Sequence, residues 1–238
     1  TGALDGQLAV VIKTDGGDAP DGQVYSEIAA NRLAQFLGIP VAIGVAARTS
    51  CSTSPTRFAS LRAHDDGFFD FSGPEPDEDD DDAPPGTYTT DGYSRHYRRL
   101  CERFPVETAH LAVFDLWIGN ADRGFNLKAR LEDDAPRILF ALDQGRSLLG
   151  CAKEVPEALR RLEDFSKPRH HIFQKLVDPI QSGAMVERIR DMPEWAIQAA
   201  TVFEEKIGKV LPGDQYALMD VLDRRRKKLS DLVKAVLC

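Results

Sequence analysis

The kind of secondary structure changes once along this chain, and that change limits the folds open to it. The first sixty or so residues alternate short strand and helix signals. After an acidic, proline-rich interruption, the rest reads almost entirely as helix. Leu8–Ile12 is a β-branched apolar run ending at Lys13 and then Asp15-Gly16-Gly17, the pattern of a buried strand leading into a loop. From Val24 to Leu37 the apolar period becomes helical, with Ala29, Leu33, Phe36 and Leu37 on one face. Gly38 supplies a stop signal, and Pro40 follows. Residues 41–47 read as a second strand and 56–61 as a third. Beyond residue 94 the pattern predicts helices over 93–104 and 106–118, short strands over 127–131 and 138–142, and helices near 156–164, 169–190, 193–209 and 214–236. A small strand-rich part followed by a larger helical part is an α+β, two-lobed architecture. Its expected divisions are an N-lobe over 1–62, an acidic mobile loop over 63–94 and a helical C-lobe over 95–238.

The interruption also explains the charge. The 238 residues carry 30 basic and 38 acidic side chains, a net of −8, but Glu75–Asp82 alone holds seven of the acids. Without that run the chain has 31 acidic residues against 30 basic. A near-neutral body argues against a nucleic-acid partner. The run itself has three readings: a solubilising insert, a mimic of a charged substrate lying over a site, or a surface for a basic partner. No apolar stretch approaches 18 residues, so no membrane span is expected. The first residues lack the pattern of a signal peptide. Cys51, Cys101, Cys151 and Cys238 are widely spaced, match no zinc pattern, and read as free thiols of a cytoplasmic protein. The adjacent His170 and His171 read as solvated or capping residues, and the basic run Arg224–Lys228 as a solvated helix face.

The residues that carry chemistry fall in a telling order. Lys13 ends the first strand, and Glu27 lies in the first turn of the next helix. Asp122 and Asn126 occupy a loop directly after a buried helix. Asp143 ends a strand and is followed by Gln144-Gly145. A lysine with an orienting carboxylate suits the non-transferred phosphates of a nucleotide. An Asp and an Asn a few residues apart, with a second Asp from the next hairpin, can supply the oxygens that magnesium prefers, and an Asp can orient an acceptor hydroxyl. Each residue alone has an ordinary alternative, as a surface ion pair, a turn aspartate or a loop cap.

The segment Val113–Asn126 (VFDLWIGNADRGFN), with Phe140–Leu148 (FALDQGRSL), resembles the catalytic region of HipA-like kinases and the related region of phosphatidylinositol kinases. Tyr25–Val41 (YSEIAANRLAQFLGIPV) resembles the small-lobe helix and Leu-Gly-x-Pro-Val turn of the same group. The likeness spans roughly residues 8–150. It implies a bilobal kinase fold and ATP- and Mg2+-dependent transfer of a γ-phosphate to a hydroxyl, with a protein serine or threonine as the first expectation for the acceptor. It also leaves room for an antitoxin-like partner. Carried over, Lys13 and Glu27 bind ATP, Asp122 is the catalytic aspartate with Arg123 fixing its loop, and Asn126 and Asp143 hold magnesium. In the family the Asn usually follows the catalytic Asp by five residues; here it follows by four, and Gly124 stands where a histidine is common. Thr1 lies only twelve residues before Lys13, which leaves little room for a glycine-rich phosphate cover, so the N-lobe reads as incomplete or the nucleotide as covered differently. The alternatives are a nucleotide-binding pseudokinase, or a kinase of a lipid or small-molecule hydroxyl.

Overall fold

The computed structural model describes residues 9–48, 54–62, 68–70, 90–124, 126–165 and 170–238. Cys51 and the acidic run 75–82 lie outside them. In chain order the elements are β1 (Val10–Lys13), α1 (Gln23–Leu37), β2 (Gly44–Ala47), β3 (Arg57–Leu61), β4 (Phe69–Asp70), α2 (Thr90–Arg103), α3 (Pro105–Ile118), β5 (Leu127–Ala129) and β6 (Leu139–Ala141). A 3-10 turn (Leu148–Gly150) then leads to α4 (Val155–Glu163), α5 (Pro179–Arg190), α6 (Glu194–Thr201) and α7 (Pro212–Val236). The fold is α+β. A small lobe carries an antiparallel sheet of order β1-β3-β2 and the helix α1, and a mainly helical lobe carries a second antiparallel sheet, β4-β5-β6.

The helix α1 joins the two parts. Eleven of its fifteen residues are buried, because it packs on α6 and on the 3-10 turn as well as under its own sheet. Its Tyr25 hydroxyl donates to Thr201 O at 2.6 Å. Its first turn is capped from a distance by Asp15, whose carboxylate accepts Val24 N–H at 3.0 Å. Gly38 ends it in the left-handed conformation (φ 69°). A backbone bridge then ties the lobes together: Ala141 N donates to Pro40 O, and Ala42 N to Ala141 O.

In the large lobe α3 is central. Every residue from Thr108 to Ile118 is buried against α2, α5 and α7, as an all-round apolar helix requires. Phe114 and Trp117 are core residues. Among the described cysteines, Cys101, Cys151 and Cys238 form no disulfide. No helix of the described residues is long and apolar enough to cross a membrane.

The structure departs from the sequence pattern at several places. A two-residue strand, β4, lies inside the segment read as loop, and α2 begins three residues before Tyr93. The helix expected over 169–190 spans only 179–190, because Asp178 caps a new N-terminus by accepting Ile180 N–H (2.7 Å) and Gln181 N–H (3.0 Å), with Pro179 in the first turn. The helix expected over 193–209 stops at Thr201. There the chain extends so that Phe203 packs edge-on to Tyr25, and its N–H is taken by the Gln215 side chain at 2.8 Å. His171 is buried rather than solvated, and its Nδ1 accepts Phe173 N–H. The basic run is not a wholly solvated face either. Arg225 is buried and donates to the carbonyls of Leu116, Trp117 and Leu162, so one cation serves the C-terminal ends of α3 and α4.

Candidate active site

Between the two sheets lies a cleft of about 290 Å³, lined by Lys13, Glu27, Asn31, Asn126, Asp143 and Gln144 on its polar side and by Val11, Ala42, Phe58, Leu61, Ala141 and Leu142 on its apolar side. The antiparallel pairing of β1 with β3 puts Val11 and Lys13 on the same face as Ser60 and Phe58, which is the face over the cleft. Four of the six residues singled out in the sequence meet here.

Lys13 is the hub. Its Nζ is 2.6 Å from Glu27 Oε1 and 2.6 Å from Asp143 Oδ2. Glu27 is 2% exposed at its side chain, and its other oxygen accepts the backbone N–H of Gln144 at 3.0 Å. The small-lobe helix and the loop after β6 therefore share one carboxylate. Burial alone would lower the lysine's affinity for its proton, but the two acids outweigh it and hold the ammonium above its ordinary value. Burial pushes the Glu27 carboxyl up to about 7 despite Lys13. Asp143 goes the other way. Its burial is outweighed by Lys13, by its hydrogen bonds and by Gly145 N–H, so it stays below the usual carboxylate range.

Asp143 also sits at φ 46°, the left-handed region that a side chain adopts at a cost and that Asp tolerates better than most. The turn is held from behind. A Cβ on Gly150 would lie 1.9 Å from Gly145 O, so only glycine lets the 3-10 turn close on the Asp143-Gln144-Gly145 loop.

The loop after α3 carries the other two residues. Asn126 lines the cleft, and its amide nitrogen donates to Asp122 O at 2.6 Å, which leaves its amide oxygen as the acceptor. Asp122 has its N–H tied to Asn120 Oδ1 at 3.0 Å, while its side chain is 43% exposed and 3.4 Å from Arg146. It does not line the cleft around Lys13 but a neighbouring hollow. Burial raises its pKa, with Asp143 adding to the effect and Arg146, Arg123 and Lys13 opposing it.

Arg123, grouped with Asp122 as catalytic in the sequence, points the other way. It is 2% exposed and grips Asp115 with two nitrogens (2.9 and 2.8 Å). It also donates to Leu142 O (2.8 Å), Asn126 O (3.2 Å) and Gln144 Oε1 (2.7 Å). It is a positioning residue that fixes both loops at once. Asp115, His171 and Gln144 complete this buried network; the sequence pattern gives none of them a place in the site, and reads His171 as a solvated or capping residue. Asp115 is the one acid in the buried stretch Thr108–Ile118 of α3, and that was the available signal.

The donor set fits a magnesium ion. Asp143 and Asn126 offer hard oxygens on one wall of the cleft, and among the described residues no group of three His, Cys, Asp or Glu forms an all-protein cage. Magnesium bound by one or two side chains takes its remaining ligands from phosphate and water.

The titration of Glu27 gives a first prediction. A carboxyl whose folded value is raised stabilises the fold at low pH and loses that contribution as pH rises through the folded value. The melting temperature of the wild type, taken relative to Glu27→Gln, is expected to fall between pH 5 and 8. A difference that does not vary with pH would mean that Glu27 titrates normally.

This is a kinase fold, with a small β-containing lobe, a larger helical lobe and the cleft between their sheets. The crystal structure of a Helicobacter pylori proinflammatory kinase, CtkA, is similar to it, with a TM-score of 0.65 over 96% of this chain and 90% of that one, at 13% identity. No family model matches the sequence, and no curated protein sequence matches it.

Proposed function

We propose that the protein is an ATP- and Mg2+-dependent phosphotransferase of the HipA-like kind, passing a γ-phosphate to a hydroxyl, with a protein serine or threonine as acceptor. The observation that carries this reading is Lys13 held at 2.6 Å by both Glu27 and Asp143 in one cleft, with Asn126 on its wall. Residues remote in sequence converge there, which supports a site for a nucleoside triphosphate. The kinase fold supports it independently.

Catalysis on this scaffold is positioning and charge placement. Lys13 binds non-transferred phosphate oxygens, and Glu27 keeps the ammonium aimed. The apolar side of the cleft, with Phe58 and Leu142, takes the base. Asp143 and Asn126 would hold a magnesium ion, which would neutralise charge on the phosphates. Asp122 orients the acceptor hydroxyl and receives its proton.

The test is thermal stability with and without ATP and magnesium, since a ligand that binds only the native state raises the midpoint. Wild type is expected to show a magnesium-dependent rise of a few degrees at millimolar ATP, lost in Lys13→Ala and in Asp143→Ala. No rise in wild type would remove the phosphotransferase reading.

A further inference from the structure

Asp122 and Arg146 open on a second hollow of about 420 Å³ that shares no lining residue with the nucleotide cleft. If Asp122 faces the acceptor, this hollow receives it, so the inference rests on the phosphotransferase reading. Three cations line it, Arg146, Lys153 and Arg161, against two acids, Asp18 and Asp122. Two of the cations are already paired, Arg146 with Asp122 (3.4 Å) and Arg161 with Glu157 (2.5 Å).

Lys153 differs. Its ammonium donates to Gly17 O at 3.0 Å and Ala19 O at 2.9 Å, both neutral carbonyls. The turn at Gly16 (φ 137°) and Gly17 (φ 59°), closed by Ala19 N–H on Gly16 O, presents them. The lysine is thus fixed in place by partners that do not cancel its charge, with one N–H left to donate. Arg146 already sits against Asp122, so an acceptor arriving there meets a guanidinium as well as the base.

We propose that this hollow is an acceptor subsite for anionic side chains, and that the acceptor is a polypeptide serine or threonine flanked by acidic residues. The three cations come from separate stretches of chain: the loop after β6, the segment before α4, and α4 itself. That spread suits charges on successive residues of an extended segment better than one compact anion. Arg146 and Lys153 take the acidic neighbours while the hydroxyl meets Asp122, and Arg161 serves a residue further along.

The experiment uses the full chain with ATP and magnesium and two fluorescent pentapeptides, Glu-Glu-Ser-Glu-Glu and Gln-Gln-Ser-Gln-Gln, read by anisotropy. The acidic peptide is expected to bind wild type at least about tenfold more tightly, with a strong salt dependence. In Lys153→Gln and Arg161→Gln the gap closes to about twofold, whereas Lys153→Arg keeps it. The ATP-magnesium rise in melting temperature is the same in all of these proteins. Equal binding of the two peptides, or a preference that survives Lys153→Gln, overturns the proposal and leaves the nucleotide reading intact. Stabilisation by glycerol 3-phosphate where neither peptide binds assigns the hollow to a small anionic alcohol and overturns the polypeptide acceptor. A wild type with no ATP-magnesium rise overturns the phosphotransferase reading, and with it the acceptor role.

Discussion

Asp122→Asn is expected to lose about 10²- to 10⁴-fold in phosphoryl transfer while keeping the full ATP-magnesium rise in melting temperature. The two effects separate because Asp122 is absent from the lining of the cleft proposed to take the nucleotide. Asparagine has nearly the same shape, and the backbone of residue 122 is held on both sides, by Asn120 Oδ1 on its N–H and by Asn126 Nδ2 on its carbonyl. The loop therefore survives the substitution, and what disappears is a basic oxygen on the proposed acceptor side. The raised pKa of this carboxyl suits it to accepting a proton. Single-turnover transfer to a peptide, measured beside thermal shift, checks both halves. Full turnover in Asp122→Asn would assign the base to another group. Loss of the thermal rise would place Asp122 in nucleotide binding instead.

The parts of this site that can be read from sequence are those set by local order. Lys13 at a strand end, Glu27 in the first turn of the next helix, and Asp143 before a glycine occupy positions that short-range patterns define. The break after α3 is equally local, because Gly119 ends the helix at φ 70°. What escaped is long-range. His171 is buried with its Nε2 at 3.3 Å from Asp115 Oδ2, a contact with a residue far back in the chain. The basic run offered a usable clue in its period. Arg225 falls on the stripe of Val221, Leu222, Leu229 and Leu232, all buried, whereas Arg224 and Lys227 do not. A cation on the apolar stripe of a helix has to find acceptors inside, and Arg225 finds three carbonyls. The helix limits near 178 and 201 were set by a side-chain cap and by the seating of Phe203, features that periodicity does not register. The hollow lined by Asp18, Asp122, Arg146, Lys153 and Arg161 matched no single motif, since its charges come from separate stretches of chain that only the fold brings together.

The second large effect lies behind the site, in stability. Asp115 is 0% exposed and accepts from Arg123 (2.9 and 2.8 Å), Asn120 (3.0 Å) and His171 (3.3 Å). Burial would raise its pKa, but Arg123 and His171 more than offset that, so the carboxyl stays below its ordinary value. A depressed carboxyl stabilises the fold above its unfolded value, and the contribution is lost as pH falls. Asp115→Ala leaves the Arg123 guanidinium buried without a counter-charge, at a cost of about 3–5 kcal/mol. For a chain of this length that is a fall in melting temperature of roughly 6–20 °C. Asp115→Asn, which keeps one acceptor oxygen, falls less. Arg123→Met fails for the mirror-image reason and also removes the guanidinium's ties to Leu142 O and Asn126 O, so turnover is expected to drop even in the folded fraction. The decisive variant is the double, Asp115→Asn with Arg123→Met. Removing both charges together takes away the uncompensated one, so the double is expected to melt above Arg123→Met alone. If the double instead melts at the sum of the two single losses, the pair is not coupled, and the loops bearing Asp122, Asn126 and Asp143 are held by something other than this ion pair.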